Sequence, residues 1–315
     1  MTPLHVQLQL RTPLGTPWSG DTLFGQLCHA VSERQGSDAL TQLLAGYGTG
    51  QPWLVVSDAF PAGYLPRPTV PASLQKTSSD PSERKAAKGK RWIPLEQVKN
   101  APTLTKLLAA AVNDEVAYGQ GNAPVQAAAF HNTLNRLTGT TGTGVFAPYT
   151  QSQIFYAPGQ IFDLWCLLDE TRLPMDELRA MLKQIGQFGY GRDATVGLGK
   201  FEVTGFETTS LFSANDSQTS LWWTLAPCAP QGLGVDAERS YWRVMTRFGR
   251  HGGMLALGGN PFKQPLLLAA TGAILASKDN SSRQFIGQGL TGVSLAQPAA
   301  VHQGYAPVLG LNHEE

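Results

Sequence analysis

A chain of 315 residues, 42% apolar and 15% charged, can bury a sizeable core and suits two domains better than one. Its formal net charge of +1 excludes a bulk field that would draw the whole protein to nucleic acid, so any such function has to rest on local patches. Cys28, Cys166 and Cys228 form neither a disulfide framework nor a metal-ligand spacing, and no apolar run is long enough to span a bilayer. A reduced, cytoplasmic protein without metal or cofactor is the expectation.

Residues 5–12 alternate, with Val6, Leu8 and Leu10 on one face and Gln7, Gln9 and Arg11 on the other, as in a half-buried strand. After a turn with Pro13, Gly15 and Pro17, Ser19-Gly20-Asp21 offers side-chain oxygens to cap a helix whose apolar face is Leu23, Phe24, Leu27, Cys28 and Val31. His29, beside that stripe, reads as a partly buried structural histidine. A second helical stretch at 39–44 precedes a strand at 53–60. Residues 61–71 hold four prolines and are expected to be extended, with Arg67 set between Pro66 and Pro68.

A basic segment follows. Residues 67–106 contain nine Lys or Arg and only three acids, and Arg84, Lys85, Lys88, Lys90 and Arg91 crowd into 83–92 after a Ser/Asp/Pro run at 78–82. The run reads as a solvated loop, or as an arm that orders on an RNA backbone with Trp92 available for base stacking; the two readings are compatible. Residues 104–118 are weakly patterned. The stretch 131–141, with His131, Asn132, Arg136, Thr138 and Gly139, reads as a loop rich in donors. It either pins itself by Asx-type turns or presents Asn132 and Arg136 to phosphates and bases.

A strand at 161–168 leads into a helix whose apolar face is Leu178, Met181, Leu182, Ile185 and Phe188. That helix runs into residues 189–200, Gly-Tyr-Gly-Arg-Asp-Ala-Thr-Val-Gly-Leu-Gly-Lys, and a strand from Phe201 leads out. Gly189, Gly191, Gly197 and Gly199 allow positive φ and leave no side chain between the backbone and a ligand. Exposed N–H groups beside Arg192 and Lys200 would suit a phosphate. The order helix, glycines, strand is the reverse of a dinucleotide fingerprint or a P-loop. The alternative is a tight turn that needs glycine only to reverse direction.

Residues 208–220 read as a linker. Beyond a strand at 221–225, Arg239, Arg243, Arg247 and Arg250 recur at helical spacing, but aromatic and β-branched alternation through 241–248 favours a strand. From Arg239 to Lys278 there are six Lys or Arg and no acid, which suits an RNA platform. Further strands are expected at 266–275 and 307–311.

Strand–helix–strand, then strand–helix–glycine loop–strand, is the order of a ferredoxin-like βαββαβ unit carrying a large insertion. The expected class is α+β, with residues 1–209 as the first module, an insertion at 61–160, and residues 210–315 as a smaller second module.

The chain resembles the RAMP-superfamily proteins of CRISPR effector complexes, and among them the fourth Csm subunits of type III-A systems. The resemblance runs nearly end to end. It is carried by residues 18–25 (WSGDTLFG), 56–61 (VSDAFP) with 65–68 (LPRP), 132–136 (NTLNR) with Thr138 and Gly139, and the glycine loop. Residues 260–263 (NPFK) and 301–304 (VHQG) are weaker C-terminal echoes. It implies two ferredoxin-like, RRM-related modules and a non-catalytic subunit that binds the 5′ tag of the crRNA. Its implied partners are the large polymerase-like subunit and the backbone RAMP subunit.

The glycine loop, Arg192, Lys200, Arg67, Asn132, Arg136 and the Lys85, Lys88, Lys90 and Arg91 arm would meet phosphates, and Tyr190 would meet splayed bases. Arg243, Arg247 and Arg250 are carried over on a looser match. The alternative is a metal-independent crRNA-processing endonuclease using His29, His131 or His251 as acid or base.

Overall fold

The computed structural model describes residues 1–74, 80–98, 102–213, 219–278 and 282–312. In chain order the elements are β1 (Thr2–Leu10), α1 (Gly20–Gln35), α2 (Ser37–Leu44), β2 (Leu54–Pro61), β3 (Tyr64–Pro66), α3 (Pro81–Gly89), β4 (Trp92–Pro94), α4 (Leu104–Ala110), α5 (Asp114–Ala117) and β5 (Val125–His131). They continue with β6 (Tyr149–Phe155), β7 (Ile161–Leu168), α6 (Met175–Phe188), β8 (Phe201–Thr208), β9 (Leu221–Thr224), β10 (Asp236–Tyr241), β11 (Val244–Arg247), β12 (Leu266–Ala269), β13 (Ile274–Ala276), β14 (Phe285–Leu290) and β15 (His302–Leu311).

The first sheet is antiparallel throughout, in the order β2-β7-β1-β8. Along β1 the period-two pattern holds: Leu4, Val6 and Leu8 are fully buried, with Leu10 nearly so. α1 and α6 join the same core through Leu23, Phe24, Leu27 and Val31 and through Leu178, Met181, Leu182 and Ile185. α6 lies close on β8 because Gly186 has no side chain; a Cβ there would sit 2.2 Å from Phe201 O. Phe188, expected on the apolar face, is 68% exposed, since the helix ends there and Gly189 turns the chain away.

The other face of this sheet is covered too. Asp163 on β7 is buried beneath residues 61–160, where His5 Nε2 lies 2.8 Å from its carboxylate and Gly63 N–H donates to it at 2.7 Å. Leu65, Ile93, Val98, Leu104 and Leu107 from that segment belong to the main core.

Within 61–160 the structure departs from expectation: the basic run is helical (α3), and residues 104–118 contain the short helices α4 and α5. The donor-rich stretch is a loop, as expected, but it connects two strands that the sequence did not signal, β5 and β6, in a long hairpin. Residues 78 and 79 of the Ser/Asp/Pro run, and 214–218 of the expected linker, lie outside the described residues. The flanks of that linker, Phe212, Thr219 and Ser220, are buried.

The second sheet is also antiparallel, in the order β10-β13-β9-β15-β14, with β11–β12 as a separate ribbon. Among the described residues no α-helix follows α6, and beyond β8 there is only a 3-10 turn at Gly253–Leu257, so the second module lacks the helices of a ferredoxin-like unit. Proline and glycine at Pro230, Gly232, Gly234, Gly252, Gly253, Gly258, Gly259 and Pro261 punctuate the segments where helices would fall.

All ten residues of β15 are buried, because both faces are packed. Tyr305, Leu309 and Leu311 join the main core, while Ala306 and Val308 pack with Trp222, Leu275 and Ile286 in a smaller one. The two sheets meet at the edge of β2. The Gln303 side chain accepts from Val56 N–H (2.9 Å) and donates to Val56 O (2.8 Å), and Asp58 N–H donates to Leu225 O (2.9 Å).

Candidate nucleic-acid interface

The glycine loop is shaped by what it packs against. Gly189, Gly191, Gly197 and Gly199 all have positive φ, as does Asp193. Two of the glycines are sterically required: a Cβ on Gly189 would lie 2.3 Å from Leu198 O, and one on Gly199 would lie 2.1 Å from Tyr190 O.

Most amides of the loop are already bonded. Tyr190 N–H donates to Gly199 O, Gly199 N–H to Pro13 O, Gly191 N–H to Gln26 Oε1, Arg192 N–H to Thr16 Oγ1 and Lys200 N–H to Thr12 Oγ1. The loop is therefore not a row of open donors along its whole length. Only the amides of Asp193, Ala194 and Thr195, at its tip, have no partner among the described residues.

Tyr190 is not a base-stacking residue. Its ring is fully buried 4.5 Å from Trp18, and its hydroxyl donates to Pro17 O (2.9 Å) and accepts from Ser19 N–H (2.8 Å). Burial pushes its phenol pKa up. An aromatic placed between glycines and facing the helix behind them fills the core.

Arg192 and Lys200 do lie at the surface. The Arg192 guanidinium donates to Ser152 O at 2.6 Å and pairs with Asp193 at 3.1 Å, while the Lys200 side chain is exposed. These contacts tie the glycine loop to the β5–β6 hairpin, together with Gln151 Nε2 donating to Asp193 and a bridge between Leu14 and Ile154. Asn132 and Arg136 are exposed in the connection of that hairpin. The hairpin also exposes large apolar side chains: Phe130 is 85% exposed, Leu137 96% and Val145 82%. Together they make an exposed apolar patch, of the kind found at interaction sites.

A second basic group lies on the insertion. Lys85 and Lys88 are exposed on α3, and Lys90 and Arg91 follow it. Arg91 is 3.4 Å from Asp114, and its carbonyl accepts from Arg67 N–H at 2.7 Å. Arg67 itself is half-buried, and burial lowers its pKa. Trp92 is not available for stacking: its indole N–H donates to Asp114 (2.7 Å), and its ring is wedged between Phe60 and Tyr118.

The largest correction concerns Arg247. It points inward from β11 and binds Asp21 at the start of α1. Nε donates to Oδ2 at 2.6 Å, and Nη2 donates to Asp21 Oδ1, Ser19 Oγ and Thr22 Oγ1. Asp21 is therefore not a helix cap, and Ser19 makes no side-chain cap bond either. His302 of β15 lies 3.3 Å from the same carboxylate. Burial alone would raise the Asp21 pKa, but the hydrogen bonds and charges of Arg247 and His302 outweigh it and hold the carboxyl well below its usual range.

Beside this pair, Asp58 of β2 accepts from Gly20 N–H (2.7 Å) and Thr271 Oγ1 (2.5 Å). Burial pushes its pKa up to about 7. α1, β2, β11 and β15 thus share one buried polar cluster, held together by partners more than two hundred residues apart. No local sequence signal marks it.

Of the other arginines on the looser match, Arg243 and Arg250 are exposed. Arg250 lies over the Phe262 ring at 5.7 Å. The histidines are dispersed. His29 pairs with Glu33 (3.3 Å), His131 stacks on Tyr149 in the hairpin, and His251 Nε2 lies 2.7 Å from Ser294 Oγ. Among the described residues there is no group of three or more His, Cys, Asp or Glu side chains that could hold a metal, and no helix long and apolar enough to cross a membrane.

No family model matches the sequence, and no curated protein does. Solved structures do match, over the whole chain. In crystal structures of a Csm1-Csm4 cassette in complex with pppApA and with AMPPNP, the matched chains are 17% identical, with all of both chains covered and TM-scores of 0.59 and 0.60. A chain in the Csm3-Csm4 subcomplex of the type III-A CRISPR-Cas interference complex is 12% identical, with 99% of this chain and 100% of that one covered and a TM-score of 0.59. Csm4 is the component those assemblies share. The chain has the same overall fold as these chains.

Proposed function

We propose that this chain is a non-catalytic crRNA-binding subunit of a type III CRISPR RNA-guided interference complex. It caps the 5′ tag of the guide and bridges the large polymerase-like subunit to the backbone filament. The observation that carries this reading is the full-length likeness to chains from two assemblies, one with Csm1 and one with Csm3, whose common member is Csm4.

The first sheet, with its βαββαβ order, is read as a ferredoxin-like, RRM-related module. The C-terminal sheet fits that description less well. The RNA-facing surface is assigned to the glycine-loop tip with Arg192 and Lys200, the β5–β6 hairpin with Asn132 and Arg136, and the Lys85, Lys88, Lys90 and Arg91 group beside Arg67. Cations at these places would set affinity through the phosphates, and the apolar hairpin would meet bases or a neighbouring subunit. The endonuclease reading has less support: His251 is engaged with Ser294, and His131 stands on the hairpin, stacked on Tyr149.

Co-purification of the tagged protein from its native operon, with sequencing of the RNA carried along, tests the proposal. Repeat-derived 5′ tags within a large multi-subunit complex are expected. Recovery of the chain without RNA or partner subunits would overturn it. Cleavage of a repeat hairpin by the isolated chain, lost in His131→Ala, would favour the endonuclease instead.

A further inference from the structure

The ribbon β11–β12 has two unlike faces, one packed and one open to solvent. From Val244 to Arg250 exposure alternates: Met245, Arg247 and Gly249 are half-buried, while Val244, Thr246, Phe248 and Arg250 are exposed. The inner face carries Arg247, bound to Asp21, and Leu268, which lies opposite Met245 and is almost wholly buried. Beyond β11 the division continues. An added Cβ on Gly249 would lie 3.0 Å from Lys263 Cδ, so Gly249 and Lys263 share the inner side, where the Lys263 ammonium donates to Val301 O at 3.1 Å.

The outer face is apolar and aromatic. Arg250 and Phe262 lie opposite each other in an antiparallel bridge, closed by His251 N–H donating to Pro261 O (2.8 Å) and Lys263 N–H donating to Gly249 O (2.7 Å). The Arg250 guanidinium stands over the Phe262 ring at 5.7 Å, and Phe262 is 52% exposed. Phe248, one step back along the same strand and face, is 65% exposed. It is the diagonal neighbour of Phe262 across the ribbon, a relation in which aromatic side chains come within reach of one another. Val244 and Leu267 continue the exposed face at its other end.

The charge on this face has one sign. Among the described residues Arg250 makes a single side-chain hydrogen bond, a long one to Ala256 O (3.4 Å), and no ion pair. Residues 239–278 contain no Asp or Glu.

We infer that the outer face of β11–β12 is a stacking platform for single-stranded RNA. Phe248 takes one base, the Arg250–Phe262 pair takes a neighbouring one, and the Arg250 N–H groups meet the phosphate between them. The inference rests on the RNA-binding reading and supplies stacking groups that Tyr190 and Trp92, both engaged inside the fold, do not provide. Every base has a π face, and bases stack on guanidinium planes as well as on rings, so such a ribbon suits unpaired nucleotides of any sequence. A purely apolar protein surface would bury Arg250 without a counter-charge. A polyanion carrying bases answers the rings and the charge together.

The test uses the full-length chain and a fluorescein-labelled single-stranded RNA, followed by anisotropy over a range of salt concentrations. Phe248→Ala and Phe262→Ala should each lower affinity about tenfold and leave the salt slope in place, since stacking releases no counter-ions. Arg250→Gln should make the slope shallower by roughly 0.7, as for one lost phosphate contact on a single strand. Phe248→Tyr keeps the ring and should keep the affinity. All four positions face solvent, so the unfolding midpoints should not move.

If the wild type binds RNA and both alanine variants bind it equally well, the platform is refuted and the RNA-binding reading survives. Loss of partner subunits on co-purification of those variants would then assign the face to a protein contact. If the wild type itself binds no RNA, the RNA-binding reading fails and takes the platform with it. A shallower salt slope in Phe248→Ala or Phe262→Ala would make the rings supports for Arg250 and overturn their stacking role.

Discussion

Arg247 reaches Asp21 across 226 residues of sequence, and the carboxylate it meets is almost wholly removed from water. Removing one partner of such a pair leaves an uncompensated buried charge. Arg247→Met is therefore expected to destabilise the protein by about 3–5 kcal/mol, measured by denaturant unfolding, with partial recovery on adding Asp21→Asn. If Arg247 were an RNA ligand, the same change would leave the unfolding midpoint in place and flatten only the salt dependence of binding.

Asp58 gives the cluster a pH dependence. Its folded-state pKa of about 7 lies above the ordinary value of 3.8, so the folded protein holds a proton that the unfolded chain has lost between those values. The stability it contributes is complete below about pH 4 and is lost as pH rises through about 7. Asp58→Asn should abolish this fall, which we place at roughly 1–3 kcal/mol because Asp58 keeps some contact with water. Equal slopes for both proteins between pH 4 and 7 would refute the assignment.

At the scale of elements, β1, α1, β2, β7, α6 and β8 could be read from the sequence because their periodicity is strong and uninterrupted. Val125–His131 could not, since Gln126, Ala127, Ala128 and Ala129 lack β-branched or aromatic character and this strand of the hairpin is largely exposed. α3 was hidden by its charge: a run of cations shows no apolar stripe, and the described part of the helix packs none. The same exposure makes its lysines easy to test. Changing Lys85, Lys88 and Lys90 together to Gln should leave stability within about 0.5 kcal/mol. If these side chains meet the guide, the slope of log affinity against log salt should shrink by roughly 0.7 for each lost phosphate contact. An unchanged slope would remove α3 from the RNA surface. The candidate site keeps exposed side chains at Arg192, Lys200, Asn132 and Arg136, as a surface contact requires. It was misread at Tyr190, Trp92 and Arg247, because residue type alone does not say which way a side chain points.

Across the whole molecule, residues 1–209 and 210–315 are distinct in sheet membership but not in core. Trp223, Leu225, Ile274, Tyr305, Leu309 and Leu311 belong to the same buried cluster as β1, α1 and β2. The Gln303 amide completes the hydrogen bonding of Val56 on the edge of β2. Unpairing that edge would expose buried backbone polar groups together with the apolar residues around them, and this cost is shared between the two halves. The full chain is therefore expected to unfold in a single calorimetric transition, with calorimetric and van't Hoff enthalpies in agreement. Residues 1–209 expressed alone should aggregate through the uncovered β2 edge. Gln303→Leu, which removes both bonds to Val56 while filling the space, should cost about 2–4 kcal/mol without splitting the transition. Two resolved transitions in the wild type, or a soluble and cooperatively folded 1–209 fragment, would mean that the junction is a docking surface between independent domains. The Arg247–Asp21 pair would then be an inter-domain contact that guide RNA or a partner subunit could open.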